Sequence, residues 1–139
     1  MNKMNPVVHF EMPAEDMGRM RKFYETVFNW QTKQLGPEMG EYVLVETTET
    51  DENRMIKSPG AINGGFYKKM EDPASNHLSV VIAVEDINEA IKKVKDAGGK
   101  VLGGQKGDGE PDEIPGVGLF SSIIDTEGNR VGMLQPKGM

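Results

Sequence analysis

The stretch His9-Phe-Glu-Met-Pro-Ala-Glu-Asp-Met17 decides the fold, because its pattern returns 70 positions later as Ser79-Val-Val-Ile-Ala-Val-Glu-Asp-Ile87. The alignment of the two copies continues without a gap through the apolar positions that follow. Few residues are identical, so the shared pattern matters more than the shared letters. A repeat of this length indicates one supersecondary unit that is used twice.

Each copy has the pattern of a strand followed by a helix. Phe10 and Met12 alternate with His9 and Glu11, which predicts a strand with one apolar and one polar face. An acidic pair follows in both copies, where an Asp can accept hydrogen bonds from the first amide groups of a helix. Apolar residues then recur at helical spacing, which predicts helices over residues 15–28 and 86–97.

The remaining segments predict three further strands after each helix. The predicted strands are residues 6–12, 30–35, 41–47, 61–69, 77–84, 100–105, 118–125 and 130–135. A loop rich in Gly, Asp and Pro is expected from Lys106 to Gly116. The sequence therefore predicts a single α+β domain of two βαβββ modules, residues 5–70 and 77–136. Two such modules are expected to form a curved mixed sheet around a shared cleft, with helices on its outer faces.

Composition excludes several classes of function. The chain has 139 residues and a net charge of −6, which argues against a nucleic-acid partner or an anionic membrane surface. No apolar run approaches the ~20 residues that a bilayer-spanning helix needs. The chain has no cysteine, which excludes disulfides, thiolate zinc sites and a cysteine nucleophile. The first residues lack the apolar core of a signal peptide, so a cytoplasmic protein is expected.

Several short motifs, in this order and at this spacing, resemble those of the vicinal oxygen chelate superfamily. The motifs are His9 in the first strand, Phe23-Tyr24, Phe28-Asn29-Trp30, Val84-Glu-Asp-Ile87 with Gly98-Gly99 after it, and Asp125-Thr-Glu-Gly-Asn129. The family contains glyoxalase I, the bleomycin-resistance proteins and the extradiol dioxygenases, and the resemblance covers nearly the whole chain. It implies a fold that hosts many activities. Members of the family are often homodimers, so a homodimer is expected.

The resemblance implies four metal ligands, taken from strands one, four, five and eight, where a divalent ion is chelated by two substrate oxygens. His9 matches the first ligand, but Gly64, Ser79 and Gly132 align with the other three. His77 lies two residues before Ser79 and is a second candidate ligand. No cofactor is therefore expected, and Zn, Ni, Fe or Mn would depend on His9, with His77 as a further donor.

Two residues of the first strand are candidate catalytic groups. His9 titrates in the range that suits proton transfer, and Glu11 shares its face, so the two are a candidate acid–base pair. The candidate ligand-contacting residues are Tyr42, Phe66, Tyr67, His77, Ser79, Phe120 and Met133. For each aromatic residue alone, packing in the core is the competing interpretation, and for Glu11 and His77 it is a solvated surface position.

Three classes of function fit these observations. The first, which the resemblance favours, is a glyoxalase-like protein related to lactoylglutathione lyase. It would be a lyase or isomerase that binds a small molecule in the cleft between the modules, with the metal site largely lost. The second is a metal-free small-molecule or antibiotic-binding protein, similar to bleomycin-resistance proteins, for which an acidic chain favours cationic compounds. The third is a metal-free acid–base enzyme that uses His9 and Glu11.

Overall fold

The computed structural model describes residues 4–53, 55–104 and 108–137. Its strands are β1 (Val7–Ala14), β2 (Gln31–Gln34), β3 (Val43–Glu46), β4 (Asn63–Lys68), β5 (Ser79–Ala83), β6 (Lys100–Gly103), β7 (Asp112–Ile114), β8 (Gly118–Ile124) and β9 (Arg130–Pro136). Its α-helices are α1 (Met17–Phe28) and α2 (Ile87–Asp96), and two short 3-10 helices span Pro37–Met39 and Pro73–Ser75. The chain divides into two compact units, His9–Leu78 and Met1–Val8 with Ser79–Met139. The predicted α+β fold of two related pieces is confirmed, and the predicted module limits stay a prediction.

The 9–78 unit is a four-stranded mixed sheet in the order β2-β3-β4-β1. β1 and β4 run parallel, from the pair His9 and Asn63 to the pair Ala14 and Lys68, and β3 is antiparallel to β2 and β4. Helix α1 packs on one face, where the core side chains Val43, Val45 and Phe66 are fully buried. The partly buried residues around them are Phe10, Met12, Met17, Met20, Tyr24 and Trp30.

Helix α1 begins and ends at recognisable caps. The Asp16 carboxylate accepts a hydrogen bond of 3.0 Å from the amide of Arg19, so the helix starts at Met17 and not at the predicted residue 15. Asn29 ends the helix in the left-handed conformation, with φ of 60°. Val27 and Phe28, which belong to the predicted apolar stripe, are 52% and 55% exposed.

The other unit is built in the same way. Its sheet has the order β5-β9-β8-β6, with β5 and β9 parallel and β7 paired to β8. Asp86 caps α2 by accepting from the amides of Asn88 and Glu89, and α2 covers a core of Val84, Ile87, Ile123 and Met133. Neither α1 nor α2, in the ranges that the structure describes, is long and apolar enough to cross a bilayer.

One segment of this unit differs from its prediction. The expected loop from Lys106 to Gly116 contains β7, which pairs antiparallel with Gly118–Phe120 and gives nine strands in the described part of the chain instead of eight. Three residues between Pro111 and Pro115 are too few to show an alternating pattern, so the strand depends on its partner β8. Residues 105–107, which include the predicted end of the strand before it, lie outside the described residues.

The two units also agree in register. Glu11 pairs with Gly65 where β1 meets β4, and Val81 pairs with Gly132 where β5 meets β9. Glu11 and Val81 are equivalent positions of the sequence repeat. Gly65 and Gly132 are therefore equivalent residues, one in each unit.

Candidate functional site

The two faces of the 9–78 sheet differ in chemical character. Phe10 and Met12 of β1 point into the core under α1. Because side chains alternate along a strand, His9 and Glu11 lie on the opposite face, which we call the helix-free face. Both side chains are half-buried. This arrangement confirms the alternation that the sequence predicts for β1.

A hydrogen bond links Glu11 to the segment before β3. The hydroxyl of Tyr42 donates to Oε2 of Glu11 at 2.9 Å. Burial raises the pKa of the Tyr42 phenol, and the negative charge of Glu11 and their hydrogen bond raise it further. The phenol therefore stays protonated near neutral pH and acts as a donor to the carboxylate.

His9 lies two residues before Glu11 on the same face. Burial lowers the pKa of its imidazole below the ordinary 6.5, because the charged form is poorly solvated there. The imidazole is neutral at pH 7, with one nitrogen that can accept a proton and one that can donate a hydrogen bond. This state suits a general base or a hydrogen-bonding contact to a ligand.

Asn63, which the sequence did not indicate, is the β4 neighbour of His9. Its Oδ1 atom accepts hydrogen bonds from the amides of Thr47 and Thr48, at 2.8 and 3.2 Å. These bonds fix the end of β3 beside the first residue pair of β1 and β4. An asparagine at the start of a strand is too common to have pointed to this role.

The helix-free face has a glycine where the resemblance implies a glutamate of strand four. A Cβ added to Gly65 would overlap the hydroxyl oxygen of Tyr42, so the phenol fills the space of a side chain at this position. The alignment of Gly64 with the ligand was wrong by one residue. A Cβ at Gly64 would lie 2.7 Å from the ring of Phe10, on the face that carries α1. A pair of glycines has no side-chain pattern that shows which one faces which side.

The equivalent position of the other unit is also covered by an aromatic ring. A Cβ added to Gly132 would lie 2.8 Å from Cε2 of Phe120 and 3.3 Å from Cγ2 of Val81. In the ranges that the structure describes, no three His, Cys, Asp or Glu side chains are grouped to hold a metal ion. The residues at these positions do not fit the two-glutamate metal centre that the resemblance implies. A glycine covered by an aromatic ring stands where each of the two glutamates would be.

Three other predicted site residues have defined places. Tyr67 lies in register with Pro13 on the helix-free face, and its hydroxyl donates to the carbonyls of Ser75 and His77 at 2.6 and 3.0 Å. The His77 side chain is exposed just before β5. Ser79 is half-buried at the start of β5, in the other unit. The Tyr67 hydroxyl thus holds the backbone of the segment before β5.

Phe66 and Met133, which the sequence predicts as ligand contacts, are buried in the cores of their units. Phe66 is 0% exposed in the core beneath α1, and Met133 is 3% exposed in the core beneath α2. Each is the strand neighbour of a glycine that faces the other way, Gly65 or Gly132. Side chains that fill a core under a helix have no exposed surface to offer a ligand.

Two open depressions of the 9–78 unit involve other residues. One, about 360 Å³ in volume, lies at the start of α1 and is lined in part by Glu15, Asp16 and Lys68. The other, about 520 Å³, lies beside residues 46–50. Neither is lined by His9, Glu11 or Tyr42.

Comparison with known proteins identifies the family. Residues 7–132 match the model of the Glyoxalase/Bleomycin resistance protein/Dioxygenase superfamily. A glyoxylase-like domain-containing protein of Didymella fabae is 31% identical over 121 residues, which are 86% of this chain and 84% of that protein. CFP32 of Mycobacterium bovis, named as a candidate glyoxylase, is 32% identical over 83 residues, or 60% of this chain. That match spans only 30% of the length of CFP32.

Solved structures with the same fold have low sequence identity. A hypothetical protein of Bacillus halodurans has a TM-score of 0.69 at 15% identity, with 99% of this chain and 98% of that chain covered. Streptomyces coelicolor methylmalonyl-CoA epimerase, in complex with 2-nitronate-propionyl-CoA, has a TM-score of 0.68 at 15% identity, with 99% and 98% covered. The similarity to these structures shows the fold. The match to the family model shows which family the chain belongs to. The chain belongs to the Glyoxalase/Bleomycin resistance protein/Dioxygenase superfamily.

Proposed function

We propose that this chain is a glyoxalase-like protein that binds a small organic molecule on the helix-free face of its 9–78 unit. His9, Glu11 and Tyr42 would make the polar contacts, without a metal held by the glutamates of the family pattern. The observation that carries this proposal is the Tyr42–Glu11 hydrogen bond on the face of His9, where the phenol fills the space above Gly65.

The charges of the three groups favour one class of ligand. Glu11 is an acceptor held by a protonated phenol, and His9 is neutral because burial lowers its pKa. Leu44, on the same face, is 42% exposed and offers apolar contact. The chain as a whole has a net charge of −6. A compound with an amine or hydroxyl donor next to an apolar group fits this combination better than an anion does.

An acid–base enzyme is the second candidate function. A neutral imidazole two residues from a carboxylate can take a proton from a carbon next to a ligand carbonyl and return it to the product. Relatives named as glyoxylases, and the fold shared with an epimerase, support a reaction of this class. A lyase acting on a glutathione adduct, and a homodimer, are further proposals drawn from the family alone.

A thermal-shift screen tests the binding proposal. The library would contain small amines, amino alcohols, dicarbonyl compounds and acyl thioesters, each measured with and without a chelator. A specific binder at about 100 times its Kd stabilises the folded state by roughly 2.7 kcal/mol, which raises Tm by several degrees. We expect at least one compound that raises Tm by the same amount with and without the chelator.

Variants locate the binding site of that hit. His9→Ala, Glu11→Gln and Tyr42→Phe should each reduce the shift. Glu113→Gln, which changes an exposed carboxylate of β7, is the matched control and should leave it intact. A hit whose shift survives all three site variants, or that needs added metal, would overturn the proposal.

A further inference from the structure

The repeat supplies an internal comparison for Tyr42. Leu44 pairs with Gly65 in one unit, and Ser122 pairs with Gly132 in the other. Tyr42 lies two residues before Leu44, and Phe120 lies two residues before Ser122. The two rings therefore approach equivalent glycines from equivalent places, and each fills the space that a Cβ would occupy.

Tyr42 has a hydroxyl that Phe120 lacks, and the strand residue beside each covered glycine differs in polarity in the same way. The strand residue beside the tyrosine-covered glycine is Glu11, and the residue beside the phenylalanine-covered glycine is Val81. Phe120 shows that a ring without a hydroxyl is enough to cover such a glycine. The hydroxyl of Tyr42 is the atom nearest to the Cβ position of Gly65, and it occurs in the unit whose neighbouring strand has a carboxylate to accept its hydrogen bond.

The turn between β2 and β3 fixes the backbone at Tyr42. The amide of Leu35 donates to the carbonyl of Tyr42 at 2.8 Å, and the amide of Glu41 donates to the carbonyl of Gly36 at 3.1 Å. Gly40 and Glu41 both have positive φ, of 65° and 58°. A left-handed glutamate is uncommon, and the surrounding hydrogen bonds hold it in that conformation. The phenol therefore starts from a constrained backbone.

We propose that Tyr42 is a positioning residue that holds the Glu11 carboxylate in one orientation on the helix-free face, and that Gly65 is the position that admits it. A ligand donor then meets an acceptor whose orientation is set in advance, which lowers the entropy lost on binding. The expected effect on ligand binding rests on the proposed function. The contact itself needs no ligand, so it is tested separately.

Nuclear magnetic resonance of protein labelled at tyrosine Cζ is the test. The chain has three tyrosines, and Tyr42→Phe assigns the Tyr42 signal by its loss. The Cζ chemical shift of Tyr42 is compared at neutral pH in the wild type, Glu11→Gln and Gly65→Ala. Gly132→Ala is the matched control, because it adds the same methyl group at the equivalent position of the other unit.

We expect the Tyr42 Cζ chemical shift at neutral pH to move in Glu11→Gln and in Gly65→Ala, because the phenol loses its charged acceptor or is displaced from it, and we expect Gly132→Ala to leave it unchanged. A Tyr42 signal with the same Cζ chemical shift in the wild type and in Glu11→Gln would overturn the inference. Glu11→Gln changes no packing volume, so this comparison holds even if Gly65→Ala fails to fold. An empty ligand screen would count against the proposed function and would leave this result standing.

Discussion

Tyr42 donates a hydrogen bond of 2.9 Å to Glu11, a residue 31 positions earlier in the chain. The two meet because β3 and β1 flank β4, and because Gly65 of β4 has no side chain between them. In a relative with a glutamate at the Gly65 position, the phenol could not take this place. The contact thus depends on the absence of a side chain at Gly65 on the middle strand.

The covering rings predict the cost of adding a methyl group at each glycine. Gly65→Ala and Gly132→Ala should each lower the free energy of unfolding by about 1–3 kcal/mol, because the ring above must move. Gly18→Ala, in the exposed first turn of α1, has only an ordinary contact at 3.7 Å. It should raise the free energy of unfolding by up to about 1 kcal/mol.

Urea unfolding of the three variants measures these differences. If Gly65→Ala and Gly132→Ala proved as stable as Gly18→Ala, the rings would not be packed against the glycines as described. Equal m-values across the set would show that the variants share one denatured state.

Burial of His9 predicts a pH dependence of stability. Its pKa in the folded protein lies below the ordinary 6.5. As pH falls through about 6.5, the unfolded chain therefore takes up the proton before the folded chain does. Stability should decrease with falling pH in this window, and less so in His9→Gln.

Proton NMR and unfolding at about pH 7.5 and pH 5.5 check the sign. His77→Gln removes the other imidazole, so the remaining histidine signal is that of His9. A His9 signal that titrates above 6.5 would contradict the burial argument.

The glycines at the carboxylate positions predict weak glyoxalase chemistry. Turnover of a glutathione hemithioacetal should be undetectable or slight, because the residues at Gly65 and Gly132 cannot bind the metal that this reaction uses in the family pattern. A standard spectrophotometric assay with a known glyoxalase as reference measures it. Robust turnover that survives purification and falls with chelator would show the prediction to be wrong.

The sequence predicted the parts of the fold that depend on local signals. Asp16 and Asp86 mark the helix starts within two residues, because a capping carboxylate acts on amides close by in the chain. The alternation in β1 placed His9 and Glu11 on one face. These features need no knowledge of the neighbouring strands.

Long-range pairing explains what the sequence did not predict. The choice between Gly64 and Gly65 depends on the register of β4 with β1, which two glycines do not reveal. The burial of Phe66 and Met133 depends on the same kind of register, since each adjoins a glycine that faces the other side of its sheet. The contact between Tyr42 and Glu11 requires three strands in register, and no local pattern predicts it.

Metal content tests most directly the claim that this site works without the metal of the family pattern. Elemental analysis of freshly purified protein, prepared without chelator, would quantify Zn, Ni, Fe and Mn per chain. The account predicts well below one equivalent, with the same value in the wild type and His9→Ala. About one tightly bound metal per chain, lost in His9→Ala, would contradict it.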